Sequence, residues 1–138
     1  MSHPFRTAIE SRDLDAVEAL LAENVVFTSP VAFAPYEGKP VTAAILRAVL
    51  RVFEDFRYVG ELAGAEGRDH ALRFEATVDG LQLTGCDFLH MDADGRIDEF
   101  TVMVRPLSAA KALAARMAEQ FPRIQQEARE AIEGTASV

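Results

Sequence analysis

Two Asp-Gly dipeptides divide the middle of the chain into segments whose apolar residues alternate as in β-strands. They are Asp79-Gly80 and Asp94-Gly95. Asp-Gly between alternating segments is a strong signal for a tight hairpin turn. An earlier alternating segment ends before a loop that contains Gly64 and Gly67. The pattern therefore predicts an antiparallel meander of four strands, at 57–63, 71–78, 81–91 and 96–104.

The residues before and after this meander have helical spacing. Residues 4–22 predict two short helices, the second capped by Asp13, and a strand follows at 24–29. A third helix is expected after Pro40, and a last helix after Pro106 that ends near Pro122 and packs only through its first half. This order predicts the α+β class: a cone-shaped, curved antiparallel sheet packed against N-terminal helices, with an extra C-terminal helix.

The length and charge of the chain limit its organisation and its partners. With 138 residues, one domain is expected over 1–121, followed by a C-terminal helical extension or tail over 122–138. Asp plus Glu number 22 against 14 Lys plus Arg, which gives a net charge of −8. Such a chain is a poor partner for nucleic acid or for an anionic membrane. The single cysteine, Cys86, and the absence of an apolar leader predict a cytoplasmic protein.

The motifs that would indicate a metal or a cofactor are missing. His3, His70 and His90 do not pair at a metal-ligand spacing, and the chain has no second cysteine. It contains no glycine-rich phosphate loop and no dinucleotide-binding fingerprint. We therefore expect neither a metal nor a cofactor.

Three short motifs resemble those of the nuclear transport factor 2-like superfamily, and in particular its SnoaL-like, polyketide cyclase-like branch. The motifs are Ser-Arg-Asp-Leu-Asp-Ala-Val at 11–17, Glu-Gly at 37–38 and Gly-Cys-Asp-Phe-Leu-His-Met-Asp-Ala-Asp-Gly-Arg-Ile at 85–97. The resemblance covers residues 4–106. It implies a cystatin-like fold with an apolar cavity that holds a small hydrophobic molecule, and it makes residues 1–121 a single SnoaL-like domain.

The resemblance also implies the residues of the site. Asp87 is the candidate catalytic acid or base, although alternation along 84–91 alone is compatible with either face of the strand pointing inward. The candidate ligand-pocket residues are Phe27, Ser29, Tyr36, Val49, Phe53, Phe74, Leu89, Phe100, Val102 and Val104. Members of the superfamily commonly pair through the outer sheet face, so a homodimer is expected through Thr84, Cys86, Phe88, Thr101 and Met103.

The ketosteroid isomerase members of the superfamily use an aspartate base together with a tyrosine and a protonated aspartic acid. When these members are matched to the chain, the acid falls on Asp87, the base on Ser29 and the tyrosine on Phe5. Serine is no base for a carbon-bound proton at neutral pH, and phenylalanine donates no hydrogen bond. Ketosteroid isomerisation is therefore not expected. Cyclase, isomerase or dehydratase chemistry of another kind remains open, as does a noncatalytic small-ligand-binding or dimerisation module.

Overall fold

The computed structural model describes residues 2–136, which form four helices and six strands. In chain order they are α1 (Pro4–Glu10), α2 (Leu14–Ala19), β1 (Leu21–Thr28), β2 (Tyr36–Glu37), α3 (Lys39–Val52), β3 (Glu54–Ala63), β4 (Asp69–Val78), β5 (Leu81–Met91), β6 (Ile97–Arg105) and α4 (Leu107–Ala136). Met1 and residues 137–138, the end of the expected tail, lie outside the described residues. The fold is α+β, as the element order predicts.

The strands form one sheet in the order β2-β1-β6-β5-β4-β3. The four-stranded meander is confirmed, since β3 to β6 pair antiparallel with their neighbours in the chain. At the tip of the β4–β5 hairpin, Asp79 and Gly80 have φ of 51° and 77°, the left-handed values that a two-residue hairpin turn requires. The first strand joins the sheet differently, because β1 runs parallel to β6.

Period-two alternation separates a buried sheet face from an exposed one. Along β4, Leu72, Phe74 and Val78 are each no more than 1% exposed. On β6, Phe100 is buried while Met103 is 59% exposed. The buried face packs on the helices and forms the core with them, which confirms the direction in which these side chains were expected to point.

Short side-chain caps begin the two N-terminal helices. His3 precedes α1, and its Nδ1 accepts a hydrogen bond of 3.0 Å from the backbone N–H of Phe5. Asp13 caps α2 as predicted, accepting from the N–H of Ala16 over 3.1 Å. The cap on α1 positions Phe5, whose ring is 1% exposed and packs edge-on against Phe100.

The prediction that the last helix ends near Pro122 is wrong. Helix α4 continues through this proline to Ala136. A proline within a helix removes one hydrogen bond and costs about 3 kcal/mol, so neighbouring contacts must offset it. Ile124 is fully buried, and Arg51 of α3 forms an ion pair with Glu127 over 3.4 Å. The packing therefore extends into the second half of α4, where it was not expected. Among the described residues, no helix is both long and apolar enough to cross a membrane.

Candidate functional site

Strand β5 turns Asp87 toward the interior. Leu83, Gly85, Asp87 and Leu89 face the helices, whereas Phe88 on the alternate face is 42% exposed. The sequence was compatible with either face of this strand pointing inward, and in the structure the face that carries Asp87 points inward. Asp87 is 6% exposed, and the cavity that it lines is mostly apolar.

The partner of Asp87 is Tyr58 of β3, which lies two strands away. Tyr58 pairs with Phe74 on β4, and Phe74 pairs in turn with Gly85 on β5. The phenol reaches across β4 and donates a hydrogen bond of 2.8 Å to Oδ2 of Asp87. Within residues 2–136, the other oxygen, Oδ1, has no hydrogen-bond partner. The carboxyl group therefore keeps one oxygen free for a ligand.

Burial dominates the protonation of this pair. Removal from water disfavours the charged carboxylate and raises the pKa of Asp87 to about 7, although the hydrogen bond from Tyr58 acts in the opposite direction. Burial likewise raises the pKa of Tyr58 well above its ordinary value, and the nearby charge of Asp87 adds to this increase. Near neutral pH, Asp87 is therefore present in both its protonated and its ionised form, while Tyr58 stays protonated.

Asp87 and Tyr58 lie at the wall of an inner cavity of about 60 Å³. They are the only titratable groups that line it among the described residues. The rest of the wall is apolar apart from Ser29 and includes six phenylalanines: Phe5, Phe27, Phe53, Phe56, Phe74 and Phe100. Two of these rings pack on each other, with the centroids of Phe56 and Phe74 5.0 Å apart. The inner cavity is an apolar space with one polar end.

Most of the predicted pocket residues lie together around this space. Those that line the inner cavity with Asp87 are Phe27, Ser29, Val49, Phe53, Phe74, Phe100 and Val102. Three others lie outside its lining. Tyr36 stacks at a tilt on Phe121 with 5.8 Å between ring centroids, Leu89 is buried further along β5, and Val104 is half-buried near the end of β6.

Sequence reasoning missed Tyr58 and the contribution of α4. Leu113 and Met117 of α4 close the inner cavity opposite the sheet. A signal for Tyr58 was present, because it is the aromatic residue at the second position of the predicted strand 57–63. The hydrogen bond between Tyr58 and Asp87 could not be predicted from the sequence pattern, because β3 and β5 are not neighbours in the sheet.

The two other positions matched to ketosteroid isomerase are also at the inner cavity. Phe5 reaches it from α1, and Ser29 from the end of β1. The Oγ of Ser29 accepts a hydrogen bond of 3.1 Å from the N–H of Val31, so this side chain shapes the loop after β1. The phenol of the site therefore comes from β3 and not from α1, and no second carboxyl group lines this cavity among the described residues.

An outer cavity of about 180 Å³ lies beside the inner one. The two share five lining residues: Phe27, Ser29, Val31, Ile45 and Met117. The remaining wall of the outer cavity comes from Ala32 and Tyr36 on one side and from α4 on the other, through Ala114, Ala118 and Phe121. It is apolar apart from Ser29 and the hydroxyl of Tyr36.

On the opposite face of the sheet, His90, Asp98 and Glu99 bring one ligand atom each to within 4.8 Å of one another. This is the group among the described residues whose chemistry suits a metal ion. His90 Nδ1 lies 2.6 Å from Asp98 Oδ1, and this hydrogen bond raises the pKa of the imidazole. The geometry is that of an ion pair between His90 and Asp98.

Comparison with known proteins places this fold in a family. The SnoaL-like domain model matches residues 4–100. A steroid delta-isomerase from Pseudomonas aeruginosa is 43% identical, with a TM-score of 0.83 over 88% of this chain and 89% of that one. A bacterially conserved protein with a cystatin-like fold from Silicibacter pomeroyi DSS-3 is 29% identical, with a TM-score of 0.79 over 90% and 91% of the two chains.

A more distant structure, an NTF2-like protein from Cytophaga hutchinsonii, shares the fold at 22% identity, with a TM-score of 0.57 over 75% of this chain and 85% of that one. No curated protein matches the chain significantly. The chain belongs to the SnoaL-like family. A fold that hosts many reactions does not select one of them, so the activity must be argued from the site.

Proposed function

We propose that the protein binds a small apolar carbonyl compound in the inner cavity and moves a proton on it through Asp87. The observation that carries this proposal is the buried side chain of Asp87, whose Oδ2 accepts a hydrogen bond from Tyr58 and which lines a mostly apolar cavity. Ligand sites are commonly apolar cavities with a few polar groups that fix orientation. A perturbed carboxyl group in such a cavity is a candidate acid or base.

The hydrogen-bonding capacity of Asp87 selects the polar group of the ligand. When protonated on Oδ1, the carboxyl group donates from that oxygen while Oδ2 accepts from Tyr58. A carbonyl oxygen is the acceptor that this donor fits, and an apolar remainder suits the phenylalanine walls.

The proton transfer needs no second titratable group. Asp87 gives its proton to the carbonyl oxygen and takes one from the adjacent carbon, so that the ketone becomes its enol and the carboxyl group ends as it began. Return of the enol to ketone, with the proton placed on the same or another carbon, completes exchange or isomerisation. A pKa of about 7 suits a group that both gives and takes a proton near neutral pH.

Binding is tested with 2-butanone by titration calorimetry between pH 5 and pH 9. Wild-type affinity is expected to fall above pH 7, because ionised Asp87 no longer donates. Asp87→Asn offers an amide N–H at all these pH values and should bind without this pH dependence. Asp87→Leu keeps an apolar side chain without the donor and should bind at least tenfold more weakly. Equal binding by wild type and Asp87→Leu would contradict the proposed contact.

Catalysis is tested separately by hydrogen exchange at the carbons beside the carbonyl group. In D₂O, the wild type should speed deuterium incorporation into 2-butanone, measured by mass spectrometry, and Asp87→Asn should not. Binding without accelerated exchange would favour the noncatalytic binding module instead. Phe5 and Ser29, in place of a tyrosine and an aspartate, are the observation in favour of that alternative.

We also propose that the protein is a cytoplasmic homodimer that pairs through the outer face of β5 and β6. Phe88 and Met103 are exposed there beside the single thiol of Cys86, which a reducing compartment would keep unpaired.

Sedimentation should give twice the chain mass of 15.1 kDa. Phe88→Glu should produce monomers, whereas Leu62→Glu, on the exposed edge strand β3, should not. A wild-type monomer at micromolar concentration would contradict the dimer.

A further inference from the structure

We propose that the inner and outer cavities form one site for an elongated carbonyl compound, a ketone with an unbranched apolar chain. Its oxygen lies at Asp87, and its chain extends between the loop after β1 and helix α4. This inference rests on the proposed function of Asp87. It adds the shape of the ligand and assigns α4, which lies beyond the residues matched by the family model, to the ligand site.

The size of the inner cavity requires such an extension. An apolar cavity of roughly 150 Å³ accommodates one benzene molecule. The inner cavity, at about 60 Å³, is less than half as large. A molecule with more than a few carbon atoms therefore cannot place its oxygen at Asp87 and remain within the inner cavity. The rest of the molecule must continue into neighbouring space.

The outer cavity is the space that can hold the rest of the ligand. It is about three times as large as the inner one, and five residues line both. Two of the shared residues, Val31 and Met117, come from opposite sides, one from the loop after β1 and one from α4. Val31 is 37% exposed, and a methionine side chain adapts easily to a changed shape. Small movements of these two side chains can join the cavities.

The lining of the outer cavity indicates an apolar, slender chain. Ala32, Ala114 and Ala118 present only methyl groups, and the rings of Tyr36 and Phe121 form the far wall. No charged side chain lines this space among the described residues. An ionic tail would lose its hydration there without gaining a partner. The alanines of α4 thus set the width available to the chain.

The length of the chain is tested with methyl ketones from 2-butanone to 2-undecanone, titrated against the wild-type protein. Each added methylene group should increase affinity about fourfold while the chain still fits within the outer cavity, as expected for burial of one methylene. Longer members should show no further gain. This series depends on no variant.

The route of the chain is tested with Ala114→Phe, which places a ring in the outer cavity, and with Ala115→Phe as the matched control on the exposed side of α4. Ala114→Phe should weaken 2-nonanone binding at least tenfold and leave 2-butanone unchanged, and Ala115→Phe should bind both as the wild type does. Short ketones that bind through Asp87 with no gain from length would overturn this inference alone. Failure of every ketone to bind would overturn the proposed function as well.

Discussion

The ring of Phe74 fills the space that a side chain at Gly85 would need. A Cβ atom at position 85 would lie 2.7 Å from Cε1 of Phe74 and 2.9 Å from the carbonyl oxygen of Met103. Phe74 pairs with Gly85 across β4 and β5, and its ring lies over the neighbouring strand at this glycine. The absence of a side chain at position 85 therefore fixes one wall of the inner cavity.

Gly85→Ala should destabilise the fold by about 1–3 kcal/mol, because the buried ring and the backbone must both move. In urea denaturation, we expect a lower midpoint and an unchanged dependence of the unfolding free energy on urea concentration. Gly64→Ala is the control, since a Cβ there meets its nearest atoms at 3.5 and 3.6 Å, which is ordinary contact. Equal stability of Gly85→Ala and the wild type would show that the Phe74 ring is not held against β5.

The raised pKa of Asp87 predicts that this group makes the protein less stable as pH rises. Between the ordinary value of 3.8 and about 7, the folded protein binds a proton that the unfolded chain has released. The contribution of Asp87 is complete below this window and falls by at most about 1.4 kcal/mol per pH unit within it.

Asp87→Asn mimics the protonated group and should remove this slope, as followed by urea denaturation at several pH values. Asp94→Asn changes an exposed turn aspartate and should retain the wild-type slope. A wild-type protein and an Asp87→Asn variant that respond identically to pH would contradict the buried, proton-binding state.

The contribution of His3 to folding stability should depend on pH in the opposite direction. Burial lowers the pKa of His3, and the charge of His70 adds to this effect. Because Nδ1 must stay unprotonated to accept from the N–H of Phe5, the stability contributed by this cap is present above the ordinary pKa of 6.5 and is lost as pH falls below it.

His3→Asn keeps an N-cap acceptor and should lose this acid sensitivity, whereas His3→Ala should cost about 1 kcal/mol at neutral pH. Denaturation at pH 5 and pH 8 measures both effects. If His3→Asn is as acid-sensitive as the wild type, the imidazole cap does not control α1.

A Δ5-3-ketosteroid should not be isomerised above the uncatalysed rate, although a relative that is 43% identical is a steroid delta-isomerase. Ser29 holds the position matched to the base, and its Oγ is used by the N–H of Val31. The inner cavity of about 60 Å³ is also too small for a ring system near Asp87. The measurement is the increase in absorbance as the conjugated ketone forms. Rapid turnover would show that a steroid fits the site and that a group other than Ser29, Asp87 included, acts as the base.

The sequence predicted those features that depend on local pattern. The Asp79-Gly80 turn and the buried face of β4 follow from backbone preference and period-two alternation, and both are observed. The inward direction of Asp87 could not be derived in this way, because β5 carries apolar and polar residues on both faces. Only pairing with β4 and β6 decides between the two faces.

The remaining parts of the site depend on contacts between distant elements. Tyr58 and Asp87 are 29 residues apart and lie on strands that do not pair with each other. The continuation of α4 past Pro122 depends on the burial of Ile124, which no local signal shows. Local preference predicted a helix end at the proline, and tertiary packing overrides it.

Pro122 weakens α4 locally beside the outer cavity, because it removes one hydrogen bond of the helix. The proline cannot donate to the carbonyl oxygen of Ala118, and both Ala118 and the adjacent Phe121 line that cavity. The helix therefore bends most easily where it covers the outer cavity, while the strands that hold Tyr58 and Asp87 are paired within the sheet. As a consequence, local bending of the helical turn at Pro122 can set the rate at which a ligand enters and leaves the outer cavity. This rate is then independent of the rate of global unfolding.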